Sequence, residues 1–293
     1  MAAICPDKGN ADFVGGASDG MAGVAAMDFS KDGVSAKKAY FFTDQAIVCL
    51  GAGITSEQPE RLLTSLNQCR LAPGIIVTRE GKSSELTSLE IDETNLQTIL
   101  HDGVAYIGLE GTSLILHTGT QSGSWSLVEE SASDAPLTEE VFTSYIDHGS
   151  KPSAASYAYQ IVPGASDVDL LNNDNSVRVL ANTSELQAVH TASESLTQAI
   201  FHAPAVLDLP EGSHIRTDAS GAIQYRAVDD KRLLTVADPT QKLRQLTVTL
   251  DGRVTGLGAS YDSGENVTRV TVLLPEGPYA GQSVLIPLVQ TGS

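Results

Sequence analysis

Short apolar runs rich in Val, Ile, Tyr and Phe recur along the whole chain, each closed off by Gly, Asp, Asn or Ser. This punctuation restricts the fold more than any other feature, because it fits many strands and leaves little room for long amphipathic helices. The clearest runs are Ala39–Thr43, Ala46–Leu50, Val104–Leu109, Ser113–His117, Tyr157–Val162, Val177–Ala181, Gln245–Leu250 and Val267–Leu274. In Gln245–Leu250 the apolar Leu246, Val248 and Leu250 alternate with polar residues, which predicts one buried and one wetted face. Asp-Gly pairs at Asp32-Gly33, Asp102-Gly103 and Asp251-Gly252 lie between such runs. Gly supplies the positive φ that tight turns require, so all three predict antiparallel hairpins rather than strand-helix-strand crossovers. The best helical rival is Glu57–Gln68, with Leu62, Leu63 and Leu66 at helical spacing, but Pro59 interrupts it and the segment reads as a loop leading into a strand.

The chain has 293 residues, 41% of them hydrophobic and 18% charged, so it can bury a sizeable core and is not of disordered composition. A polar, Asn-rich stretch at Asp167–Ser176 suits a domain boundary. It predicts one domain over residues 1–175 and a second over residues 176–293. No internal repeat of fixed period is visible.

Formal net charge is −18, and the 18 Lys and Arg residues form no basic block of the kind that neutralises phosphates, which argues against nucleic acid as a partner. The same charge repels anionic polysaccharides at long range, so a polyanion would need a locally basic cleft or one supplied by another domain. No run of apolar residues is long enough to cross a membrane, and the N-terminus lacks the basic and apolar regions of a secretory signal. A secreted parent is expected to carry its signal upstream of Met1. Cys5, Cys49 and Cys69 are too few for a disulfide framework and are not spaced for a metal, and their odd number leaves at least one thiol unpaired within the chain.

Several short motifs invite a chemical reading and fail on context. Gly16-Ala17-Ser18-Asp19-Gly20 has the letters of a nucleophile elbow, yet the residues after it read as a strand ending at a turn, not a helix. Ile47-Val48-Cys49-Leu50-Gly51-Ala52-Gly53 resembles the start of a dinucleotide fingerprint, but Ser56 stands where the third glycine belongs and Pro59 follows. His101, His117, His148, His190, His202 and His214 are scattered, with no pair spaced for one metal, so no metal or other cofactor is expected. Tyr145-Ile146-Asp147-His148-Gly149 sets an acid beside a histidine, but neighbouring strand residues point to opposite faces. Trp125, the only tryptophan, is expected to serve in packing rather than sugar stacking, since aromatics are only 5% of residues. Asn182-Thr183-Ser184 and Asn266-Val267-Thr268 are glycosylation sequons, meaningful only in a eukaryotic secretory setting.

Longer strings carry more information. Phe13-Val14-Gly15-Gly16-Ala17-Ser18-Asp19-Gly20, Gly23-Val24-Ala25-Ala26-Met27-Asp28-Phe29, Ala36-Lys37-Lys38-Ala39-Tyr40-Phe41-Phe42 and Ile47-Val48-Cys49-Leu50-Gly51 resemble, in that order, the central β-domain of family 8 polysaccharide lyases. The resemblance continues through Leu66-Asn67-Gln68, His101-Asp102-Gly103-Val104-Ala105-Tyr106, Gly123-Ser124-Trp125, Ile146-Asp147-His148-Gly149 with Lys151-Pro152, and Tyr157-Ala158-Tyr159-Gln160-Ile161-Val162-Pro163. It reaches the last domain at Ala181-Asn182-Thr183 and Gln187-Ala188-Val189, and loosens after about Asp208. The implied fold is all-β: a large antiparallel β-supersandwich of the galactose-mutarotase-like type followed by a smaller C-terminal β-sandwich.

The resemblance also implies a function. The family, whose members act on hyaluronan, chondroitin sulfate and xanthan, cleaves by β-elimination at uronate sugars, using Tyr, Asn, His and Arg on an N-terminal helical toroid. No position here matches those residues, nor are the first supersandwich strands evident, so no catalytic, cofactor, metal or substrate-binding residue is carried over. The expectation is a non-catalytic β portion of an extracellular polysaccharide lyase, a scaffold and candidate wall of the sugar cleft, showing an exposed apolar patch where the helical portion would dock. The alternative is a stand-alone carbohydrate-binding module using such residues as Trp125 and Asn67. An independent site around Tyr145, His148 or His101 is the third reading.

Overall fold

The computed structural model describes residues 11–166 and 177–291. The expected boundary at 175/176 and Cys5 lie outside the described residues. In chain order the first strands are β1 (Val14–Ser18), β2 (Gly23–Lys31), β3 (Val34–Phe42) and β4 (Ile47–Ser56). Next come β5 (Arg61–Arg70), β6 (Ile75–Arg79), β7 (Lys82–Leu86), β8 (Ile91–Leu96), β9 (Thr98–His101), β10 (Val104–Gly108), β11 (Leu114–Gly123), β12 (Leu137–Ser150) and β13 (Ala155–Pro163). The remainder are β14 (Val177–Asn182), β15 (Leu186–Thr191), β16 (Leu196–Phe201), β17 (Val206–Asp208), β18 (His214–Thr217), β19 (Gly221–Val228), β20 (Lys231–Ala237), β21 (Gln245–Asp251), β22 (Val254–Gly256), β23 (Ala259–Asp262), β24 (Val267–Leu273) and β25 (Val284–Gln290). Three 3-10 turns are the only helical segments among the described residues, so the all-β expectation holds.

The chain divides into two compact units. One comprises Met1–Gln58, Pro152–Ala158 and Asn175–Ser293. In it β1 to β4 form an antiparallel meander, with β13 beside β4. A seven-stranded sheet (β14-β15-β16-β19-β20-β25-β22) and a five-stranded sheet (β17-β18-β21-β24-β23) enclose a second core built from Phe201, Ile223, Leu234, Val248 and Val270 among others. The alternation expected over Gln245–Leu250 is present: Leu246, Val248 and Leu250 point into this core.

Strands β15, β16 and β19 are buried on both faces, and the two faces differ in chemistry. Ala188, Ala199, Phe201 and Ile223 face the apolar core. The opposite face carries Gln187, Gln198 and Gln224, each almost fully buried. Their amides reach main-chain carbonyls of the first strands: Gln198 Nε2 donates to Gly23 O at 2.6 Å, and Gln224 Nε2 to Ala22 O at 3.5 Å. Gln198 Nε2 also donates to Gln224 Oε1 at 2.8 Å. Asn182 Nδ2 completes the row by donating to Gly51 O and Tyr157 O at 3.2 and 2.9 Å. A buried amide costs least when its polar atoms are paired, and here the Nε2 donors find main-chain carbonyls and the Gln224 side chain, while Gln198 Oε1 is left without a partner.

The second unit comprises Pro59–Lys151 and Tyr159–Asp174. In it β13, β10, β9, β6 and β7 form one sheet, and β5, β12, β11 and β8 a four-stranded sheet. Phe142, Ser144 and Ile146 of β12 point inward while Val141, Thr143 and Tyr145 point outward. In the Glu57–Gln68 segment a short loop, residues 57–60, leads into edge strand β5, which takes up the rest, so the loop-into-strand expectation holds and no helix forms.

Two of the three Asp-Gly pairs close hairpins. Asp32 and Gly33 take φ of 53° and 76° between β2 and β3, and Asp102 and Gly103 take 49° and 73° between β9 and β10. Asp251-Gly252 does not. Only its glycine has positive φ (79°), β21 pairs with β18 and β24, and the chain crosses to β22 in the other sheet. A two-residue hairpin of this kind needs positive φ at both positions. Asp251 is instead drawn into contacts with His214 and Arg216, and Gly252 N–H donates to Asn266 O at 2.8 Å.

Candidate functional site

The second unit concentrates the polar groups singled out in the sequence. On the inner side of β5, Asn67 Nδ2 donates to Tyr106 Oη at 2.7 Å and approaches Cys69 Sγ at 3.6 Å. His101 lies beneath, its ring stacked on Phe142 at 4.1 Å. Its Nε2 accepts the Ala72 N–H at 2.9 Å, so in the neutral ring the proton sits on Nδ1, which faces Cys69 Sγ at 3.8 Å. The imidazole therefore offers the thiol a donor and, in this tautomer, cannot act as the base that takes its proton. Burial is the main influence on all three groups: it raises the Cys69 thiol and the Tyr106 phenol and lowers His101. A phenol held protonated by burial is a poor proton acceptor, and this cluster is a packed polar core.

The acid-histidine neighbours separate as the strand geometry predicts. Asp147 pairs with Arg61, and His148 Nε2 meets Thr64 Oγ1 at 2.8 Å. Tyr145 sits on the outward side, with Ser65 and Ile115 opposite. The other histidines are dispersed. His190 pairs with Thr197 (3.0 Å), His214 with Asp251, and buried His202 lies against Asp28 (3.2 Å) and Gln187 (3.1 Å). Desolvation pushes Asp28 up, but His202 and Lys37 outweigh it and hold the carboxyl below its usual range. Among the described residues no three His, Cys, Asp or Glu side chains are grouped to hold a metal.

The remaining motifs have structural explanations. Ser18 Oγ closes the turn after β1, donating to Ala22 O at 2.9 Å and accepting the Gly20 N–H at 3.1 Å. Gly51 leaves room for the Tyr157 ring: a Cβ there would lie 2.1 Å from its Cε1. Gly53, with φ of 61°, sits where β4 carries one more residue than β3, a bulge in the ladder. Cys49 and Cys69 share no disulfide. The sequon residue Asn182 is committed to the carbonyls of Gly51 and Tyr157.

Beside the Asp251-Gly252 turn, a second expectation is overturned. Trp125 is not a packing residue, since it stands 62% exposed on a 3-10 turn, Trp125–Leu127. Three residues of a 3-10 turn present no continuous apolar stripe to a core, so the ring projects outward. It borders a groove of about 250 Å³ with Gln121, Ser122, Val128, Leu137, Glu139 and Val141. A second groove, about 310 Å³, runs along Leu71–Ile75 and Glu85–Leu89, and its ionisable groups, Glu85 and Glu140, are both acidic. Neither groove brings a base and an electrophilic stabiliser together.

Comparison with known proteins fixes the ancestry of these sheets. Residues 2–173 match the profile of the polysaccharide lyase family 8 super-sandwich domain. The chain belongs to that family. Residues 178–247 match the family 8 C-terminal β-sandwich domain. Chondroitinase-AC of Pedobacter heparinus is 35% identical over 280 residues, covering 95% of this chain but 38% of the relative. Hyaluronate lyase of Thermasporomyces composti is 28% identical, over 88% of this chain and 33% of that protein. A solved structure of chondroitinase AC lyase superposes with a TM-score of 0.83 at 34% identity, covering 94% of this chain and 39% of that one. Paenibacillus xanthan lyase, at 22% identity and a TM-score of 0.84, shares the fold. The family 8 chain thus spans under two fifths of these relatives. Its similarity to chondroitinase-AC extends beyond Asp208, where sequence reading found only a loose match.

Proposed function

We propose that this family 8 chain is the non-catalytic β portion of a lyase that cleaves uronate-containing polysaccharide by β-elimination. In this reading it supports, and helps to wall, a sugar cleft whose catalytic groups lie on a helical portion. The observation that carries the reading is the lack of a convergent base and stabiliser among the described residues of a chain matching 38% of chondroitinase-AC. β-Elimination needs a base to remove the proton beside the uronate carboxylate and a group that stabilises the charge developing there. Tyr106 and His101, the buried candidates, are shifted by desolvation away from that work. The parent is read as extracellular because a polymeric substrate cannot cross a bilayer.

The test is the ultraviolet absorbance of unsaturated uronate product, followed with the purified chain on chondroitin sulfate, hyaluronan and xanthan. The expected result is a flat trace from folded protein. Product growth that persists through purification would place a catalytic base within these residues and overturn the reading.

A further inference from the structure

The outward face of the four-stranded sheet ends at an unusual surface. Along β5, β12 and β11, register sets Gln68, Thr143 and His117 in one row and Arg70, Val141 and Gly119 in the next. Gln121 stands opposite Glu139, and beyond them lies the Trp125 groove. Gly119 leaves the face flat, for a Cβ there would meet only His117 Nε2, at 3.8 Å.

Trp125 is displayed by a well-bonded loop. The Val128 and Glu129 N–H groups both donate to Trp125 O at 3.0 Å, Ser126 N–H donates to Ser133 O at 3.1 Å, and the Ser124 and Ser126 hydroxyls pair at 2.7 Å. The indole N–H has no hydrogen-bond partner among the described residues. A large exposed ring with an unused donor, in an otherwise ordered loop, marks a surface made for contact.

The chemistry beside the ring selects the partner. Gln68 Nε2 donates to Gln121 Oε1 at 3.3 Å, and the Ser122 and Thr138 hydroxyls pair at 3.1 Å. Amides and hydroxyls both donate and accept, which suits a ligand rich in hydroxyl and acetamido groups. Arg70 and Glu139 neutralise each other at 2.8 Å, so the groove lining carries no uncompensated charge, and the loop beside it adds only the acidic Glu129, Glu130 and Asp134. A carboxylate would find no unpaired cation here, whereas the C–H face of a neutral pyranose can lie on the indole. The groove is also at the small end for ligand pockets, fitting about one sugar ring rather than a protein segment.

We infer that Trp125, with Gln121 and Ser122, forms a non-catalytic docking site for a neutral hexosamine unit of a polysaccharide, separate from any cleft where the chain is cut. The polymer class rests on the function proposed above, whereas the stacking chemistry does not. Because Trp125 is the only tryptophan, its emission reports on this site alone.

The experiment titrates the full chain with N-acetylglucosamine tetrasaccharide and with chondroitin hexasaccharide, following fluorescence and calorimetric heat. A saturable spectral shift is expected with both. W125A should weaken calorimetric affinity about tenfold, the scale of one lost aromatic contact, and W125F should recover part of it. Unchanged circular dichroism in both variants excludes misfolding. Heat without a spectral shift would put sugar binding elsewhere and overturn the inference while leaving the proposed function standing. Absence of both signals, or a shift seen only when the helical portion of a relative is added, would overturn it as well. Failure of the proposed function is read separately, from unsaturated product.

Discussion

At the scale of single residues, Asp238 is the most heavily committed carboxylate among the described residues. It is almost fully buried and accepts Thr240 N–H (2.8 Å), Thr240 Oγ1–H (2.6 Å) and the N–H groups of Lys242 and Leu243 (2.7 Å each). Desolvation opposes ionisation, yet these donors win and its acidity is enhanced. A carboxyl lowered in the folded state contributes stability above its unfolded value, and that contribution is lost as pH falls through the folded value. D238N keeps one good acceptor and should lose about 1–3 kcal/mol in urea unfolding near neutrality. Its stability should also fall less steeply below pH ~4 than that of the parent chain. At Gly51, G51A drives a methyl into the Tyr157 ring and should cost about 1–3 kcal/mol, read as a lowered Tm. Neither role was legible beforehand. Gly51 stood out only as part of a nucleotide-like string and of a family-like one, neither of which points to Tyr157, because the ring that fills its place is far away in sequence.

At the scale of elements, the row of buried glutamines gives the sharpest test. Q198L strips the Gly23 carbonyl and the Gln224 amide of a partner and should destabilise by about 1–3 kcal/mol. Q198L/Q224L should lose less than the sum of the two single variants, because each single change leaves the other amide stranded. Equilibrium unfolding of the three proteins measures this. Strand positions were readable where alternation was clean, as in β21, or where a glycine turn followed, as at Asp32-Gly33 and Asp102-Gly103. The Asp251-Gly252 expectation failed because an identical dipeptide serves a crossover between sheets, which local sequence does not record. Gln187, Gln198 and Gln224 gave no warning either, since a glutamine in a strand normally signals the wetted face. Trp125 was misjudged for the opposite reason: composition favours burial of a lone tryptophan, and only the geometry of its short turn exposes it.

At the scale of the whole molecule, charge sets the sign of any interaction with an acidic polymer. With a net charge of −18, contact through a neutral stacking site works against a repulsive background that salt screens. Affinity for chondroitin fragments should therefore hold or rise as ionic strength increases from about 20 to 200 mM, whereas a basic cleft would show the opposite slope. Calorimetry across that range distinguishes them. The family was recognisable because ordered strings run through most of the chain, while of the candidate site only Trp125 was named, within the alternative reading, because the rest depends on which strand faces are left uncovered. The glutamine row has one more consequence. Its grip on the first strands is through main-chain oxygens, which every residue type supplies alike. The receiving strands are thus free to exchange side chains over evolutionary time as long as their path is kept, and drift should be tolerated on that side of the junction and punished on the glutamine side.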